Sequence, residues 1–74
     1  MKGQVVETRF GIIAVDKGFI TADQLIEALR TQVKGEIEDG KHKLIGTILL
    51  EMSLVTNEQI DEIVKELLKK RLSS

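Results

Sequence analysis

The chain has no cysteine, no proline, no tryptophan and no tyrosine, and only one histidine. Without cysteine there is no disulfide framework, no thiol nucleophile and no zinc knuckle. With only Phe10 and Phe19 as aromatics, the core has to come from aliphatic packing. Long apolar runs are missing too: the longest falls far short of the roughly 20 residues that span a bilayer. The first 30 positions carry no charged-then-apolar signal layout. The cytoplasm is therefore the expected compartment, with no membrane insertion. Neither charge dominates, since 11 basic residues meet 12 acidic ones for a net charge of -1. That balance gives no electrostatic reason to expect DNA or RNA as a partner.

Catalytic and metal signatures are equally sparse. His42 has no second histidine or cysteine with which to share a metal. Glu36, Glu38 and Asp39 cluster beside Gly40, but the alternating oxygen ligands and closing glutamate of a calcium loop are missing. There is no G-x-x-x-x-G-K-[ST] phosphate loop and no nucleophile paired with a base. The chain is expected to be non-enzymatic, with no catalytic residue, no bound metal and no cofactor.

What the chain does have is a repeat. A shift of 35 positions lays Gly11 on Gly46, Ile13 on Ile48, Thr21 on Thr56, Gln24 on Gln59 and Glu27 on Glu62. Such a period is typical of a repeated supersecondary unit. Charge and bulk follow, with Asp16 on Glu51, Arg30 on Lys65, Leu25 on Ile60 and Leu29 on Val64. In a single domain of 74 residues, 42% hydrophobic and 31% charged, this predicts an all-α fold. Two pseudo-repeated helix pairs, about four helices in all, should share one core, because neither pair buries its apolar face alone.

The boundaries follow from local chemistry. Met1 to Glu7 shows no strong periodicity and receives no assignment; Val5 and Val6 there have several outlets. Thr8 is placed to N-cap a short helix whose Phe10, Ile13 and Ala14 share a face. Gly18 suits the left-handed position that ends it. Thr21 and Gln24 have capping-box spacing for a helix over about 22–34, with Leu25, Ala28, Leu29, Gln32 and Val33 as its buried stripe. The polar segment 35–43, GEIEDGKHK, is the expected connector between unit one (about 8–34) and unit two (about 44–71). In unit two Ile45, Ile48, Leu49 and Met52 make one face, Ser53 stands where Gly18 stood, and Thr56 with Gln59 repeats the capping box. The last helix, about 57–71, should pack through Ile60, Ile63, Val64, Leu67 and Leu68. Its Asp61 to Lys65 and Glu66 to Lys70 spacings, with Lys69, Lys70 and Arg71 at the negative end, describe a solvated face rather than a membrane-binding one.

Gly11 and Gly46 need a reason, because glycine inside a helix costs about 1 kcal/mol relative to alanine. Two readings are open: close helix-helix approach within each unit, which is preferred, and a backbone bared to a ligand.

The stretch RFGIIAVDKGFITADQLIEALRTQ, from Arg9 to Gln32, resembles the 24-residue motif of the MshEN family, RLGxxLVxxGLIxxxxLxxxLxxQ. That family is the N-terminal domain of the bacterial ATPases that drive type II secretion and type IV pili. Arg9, Gly11, Val15, Gly18, Ile20, Leu25, Leu29 and Gln32 stand on the motif's fixed positions. The family carries two motifs in tandem, and here the likeness runs over residues 8–68. The resemblance implies a regulatory or adaptor domain that docks to a protein partner of secretion, pilus or signalling machinery. Its alternative is a sensor of the second messenger cyclic di-GMP. For that ligand it implies contacts from Arg9, Phe10, Gly11, Gly18, Gln32, Ile45 and Gly46. In the second copy Leu44, Ser53 and Leu67 replace the arginine, the second glycine and the glutamine, so the polar contacts fall to the first motif, with Lys41 or Lys43 as nearby substitutes for the missing charge. On this view Gln32 belongs to a contact face, whereas its counterpart Leu67 is structural.

Overall fold

The computed structural model describes the backbone of residues 2–73 and the side chains of residues 7–69. Among these residues there are four helices and no strand: α1 (Lys2–Asp16), α2 (Ala22–Asp39), α3 (Ile45–Glu51) and α4 (Asn57–Ser73). None of the helices is long and apolar enough to cross a membrane among the described residues.

The repeat is written into the turns. After α1, the Phe19 amide donates to the Ala14 carbonyl and the Gly18 amide to the Val15 carbonyl, both at 2.9 Å. After α3, Leu54 donates to Leu49 at 2.9 Å and Ser53 to Leu50 at 3.0 Å, which is the same pair of bonds displaced by one repeat. This is the Schellman arrangement, and it requires a left-handed residue just past the helix. Gly18 meets that demand at φ 78° and Ser53 at φ 61°, so the serine holds a backbone conformation that its Cβ disfavours. Both capping boxes close. Thr21 and Gln24 exchange bonds of 3.1 and 2.9 Å, and Thr56 and Gln59 repeat those distances.

The boundaries differ from the sequence expectation in two places. α1 begins at Lys2, so Thr8 is an interior residue of the helix and not its cap. The extra turn has a physical cause. Glu7, Phe10, Gly11 and Ala14 fall at i, i+3, i+4 and i+7 and are all buried, but the glutamate hides this face from an apolar count. The side chains of Val5 and Val6 lie outside the described residues. The second difference is that α2 runs through Gly35 and on to Asp39, so the connector shrinks to residues 40–44. Gly40, left-handed at φ 67°, is the terminator, and its amide returns to the Glu36 carbonyl at 3.0 Å. Gly35 is a helical residue that the returning chain passes, with the Lys41 carbonyl oxygen 3.9 Å from where a Cβ would stand.

One core serves both units. It contains Phe10, Ile13 and Ala14 of α1, Leu25 and Ala28 of α2, Ile45, Ile48 and Leu49 of α3 and Ile63 of α4, with Ile20 and Val55 from the two turns. Packing runs largely between units, with α1 lying on α4 and α3 and α2 on α3. The assignments of Val33, Val64 and Leu68 to buried stripes do not hold, since all three are exposed; Met52, Ile60 and Leu67 pack only at the core's edge. Their helices present a narrower buried arc than the apolar pattern suggests, because so small an interior is filled by the aliphatic side chains already in the core. No ion pair joins Asp61 to Lys65 among the described side chains, and Lys70 and Arg71 lie outside them.

The two motif glycines are contact points. A Cβ on Gly11 would stand 2.3 Å from Leu25 Cδ1, so α1 and α2 meet there, within unit one. A Cβ on Gly46 would stand 3.1 Å from Phe10 Cζ. This second contact is between units, which corrects the expectation that each glycine serves its own pair.

Candidate functional site

The polar centre of the molecule is built on Glu7, a carboxylate on the inner face of α1 that is only 7% exposed. Its Oε1 accepts from two donors at 2.9 Å, the Gln32 Nε2 of α2 and the Ile45 backbone amide at the start of α3. The second bond explains how α3 begins. Its N-cap, Leu44, has no side-chain oxygen, and the helix is capped instead by an acid 38 residues away in sequence. Gln32, 8% exposed, uses the same Nε2 to donate to the Lys43 carbonyl at 2.9 Å. Three helices and the connector are therefore tied through two side chains.

His42 closes the arrangement from the solvent side. Its Nε2 lies 2.8 Å from Glu7 Oε2, close enough for an ion pair with the protonated ring, although Oε2 has no aligned hydrogen-bond partner. Its Nδ1 meets Glu36 Oε1 on the last turn of α2. The hydrogen bond that the ring donates to Glu36 raises the His42 pKa above its usual 6.5; desolvation opposes this, and the charges of Glu7 and Glu36 reinforce it. With a carboxylate at each ring nitrogen, His42 is not the isolated loop histidine that the sequence suggests. Among the described residues no group of three or more His, Cys, Asp or Glu is placed to hold a metal. Lys43 pairs with Glu51 at 3.1 Å across an exposed edge.

The seven residues implied by the resemblance are not gathered on one open surface. Arg9 is exposed and has no partner among the described residues. Phe10 and Ile45 are core residues, at 8% and 1% exposure. Gly11 abuts Leu25, and Gly46 abuts Phe10. Gly18 forms the exposed turn after α1. Gln32 turns its amide nitrogen inward to Glu7 and Lys43, which gives it a structural task that its place at the edge of an apolar stripe did not disclose.

No protein-family model, curated protein or solved structure matches the chain. The likeness to the MshEN motif therefore rests on the residues at motif positions alone.

An open apolar surface lies elsewhere, on the outer side of α2. Ile26, Val33 and Ile37 are 49%, 50% and 78% exposed. With Leu29 they follow a helical row beside the buried row of Leu25, Ala28 and Gln32. A shallow cavity of about 570 Å³ runs along that outer row, flanked by Arg30, Lys34 and Glu38. Sequence reasoning placed Val33 in the core and Ile37 in a loop. Once α2 is extended to Asp39, the two fall into one row. Glu7 and His42 were missed for a different reason. The available signal was an acid three residues before Phe10 and seven before Ala14, on an otherwise apolar face.

Proposed function

We infer that this chain is a non-enzymatic adaptor or regulatory domain that works by docking to another protein, as the MshEN-like motif implies for an N-terminal domain of secretion and pilus ATPases. The observation that supports this reading is the exposed row on α2. A small domain with a filled aliphatic core gains nothing in stability from three further aliphatic side chains in water, and a contiguous apolar patch rimmed by charge suits protein contact. The test is site-specific photo-crosslinking in the native host with the crosslinking side chain at Ile37, Ile12 or Leu68, exposed positions on α2, α1 and α4. Docking predicts a discrete adduct with another protein from at least one of these faces. Monomer alone from all three would defeat the reading.

Cyclic di-GMP sensing is kept as the second reading because Arg9, its cationic contact, faces solvent unpaired among the described residues. Titration calorimetry on the folded protein decides it. Micromolar or tighter binding that is lost in Arg9→Ala would favour the sensor, and a flat titration would remove it.

A further inference from the structure

The row on α2 has a chemical preference as well as a shape. Ile26 to Ile37 spans eleven residue-to-residue steps of helix, or about 17 Å, which matches three turns of a second helix laid alongside. Arg30 and Lys34 stand at the middle of the row, on its solvent flank. Although Glu27 and Glu38 are on the same helix, neither cation is in an ion pair among the described residues. Two unpaired cations beside an apolar row favour an occupant with carboxylates at the matching positions.

A second copy of this chain laid antiparallel, the arrangement that joins like flanks, does not meet that condition. Laid antiparallel so that Ile26 faces Ile37 of its mate, α2 brings Arg30 beside the mate's Lys34, and by symmetry does so twice. That pairing joins the apolar rows only by opposing like charges. A basic amphipathic helix is also a poor fit because of the cations, and so is a uniformly anionic membrane, which would meet Glu38 on the same row as well as the two cations, whereas a helix can place its acids at the cations alone.

We propose that the outer face of α2 is a groove for an amphipathic helix of a partner protein, one whose apolar ridge at i, i+3 or i+4, i+7 and i+11 is flanked by glutamate or aspartate at the level of Arg30 and Lys34. This rests on the docking reading and specifies its site and its occupant. The partner's apolar ridge fills the channel over Leu29 and Val33, and its acids answer the two cations. Charge sets orientation and partner choice, while burial of Ile26, Val33 and Ile37 supplies affinity.

The probes are two synthetic helical peptides with leucine on the ridge, one flanked by glutamate and its twin by lysine. Binding is read from backbone amide shifts of the labelled protein and from fluorescence anisotropy of the peptide. The glutamate peptide is expected to shift amides of α2 between Ile26 and Glu38, with the lysine twin at least tenfold weaker. Arg30→Glu combined with Lys34→Glu should reverse that order. Ile37→Ser should weaken both peptides with no change in helical circular dichroism, since Ile37 is 78% exposed. Equal binding of the twins, no binding of either, or shifts away from α2 would each overturn the proposal, as would dilution-dependent α2 shifts of the protein alone, which identify a second copy as the occupant. Crosslinks from Ile12 or Leu68 but not from Ile37 overturn this assignment and leave the docking reading in place. Crosslinks from none of the three overturn both.

Discussion

Replacing Gln32 with leucine separates the two roles open to this residue. A contact-face glutamine at the edge of an apolar stripe would be exchanged at no cost, or with a gain of up to about 1 kcal/mol from the added apolar surface. The structure gives the opposite sign. Gln32 Nε2 donates to the buried carboxylate of Glu7 and to the Lys43 carbonyl, both at 2.9 Å. A hydrogen bond to a charged group contributes about 1.5–3 kcal/mol and one to a neutral carbonyl about 1. Burying leucine in place of the amide returns about 1–2 kcal/mol, so the net cost is about 0.5–3 kcal/mol. In a domain of this size, that is a large share of a total stability of roughly 4–11 kcal/mol. With no tryptophan or tyrosine to report, urea denaturation is followed by far-ultraviolet circular dichroism. The midpoint should fall while the slope with denaturant stays constant. Glu7→Ala in the same background separates a specific bond from general loosening: the two changes should couple by about 1 kcal/mol or more, because each removes the other's partner. A midpoint within error of the parent, or above it, would refute the reasoning and return Gln32 to the contact face. Leu67→Gln is the comparison. It should cost about 1 kcal/mol, the lower part of the range for a core leucine, because Leu67 is only partly buried at the edge of the core.

Other perturbations test the remaining joints. Because the folded-state pKa of His42 is raised, its stabilising contact is fully present below about pH 6.5 and is lost as pH rises through the folded value. The denaturation midpoint should fall across that interval in the parent protein and fall less in His42→Ala; identical slopes would count against the contact. Ser53→Gly should raise stability by about 1 kcal/mol in thermal melts by relieving the left-handed serine, and Gly18→Ala should lower it by a similar amount. Gly11→Ala should cost about 1–2 kcal/mol, as overpacking against buried Leu25 exceeds the gain in helix propensity, whereas Gly46→Ala needs Phe10 to yield by only a few tenths of an ångström and should cost less. Equal melting temperatures for those two variants would show that the difference in clearance has no energetic consequence.

The parts of the fold that were legible in the sequence are those in which one residue type solves one local problem. Thr21 with Gln24 and Thr56 with Gln59 announce their capping boxes because the partners sit three residues apart. Gly18 announces a left-handed turn, and the repeat then carries that geometry onto Ser53, where the residue alone argues against it. Gly35 misled, because a glycine is both a helix terminator and a tolerable interior residue. Here Gly40, five positions later, holds the positive φ.

The polar node was not legible, because its cause is long-range. Glu7 meets Gln32 across 25 residues and Ile45 across 38, and no local window contains both ends of either bond. Apolar periodicity reads a buried glutamate as a break in the stripe, so the helix around it was cut short at Thr8. The same node changes what the motif positions mean. A glutamine that closes a repeated motif can face a ligand, or it can pin the start of the next unit. In this chain Gln32 holds the connector at Lys43 while Glu7 caps α3. The second copy has no such pair of bonds at the matching position, where Leu67 offers only hydrocarbon. Leu67 packs at the core's edge, so the two copies use the same motif position for different tasks: a polar pin in the first and apolar packing in the second.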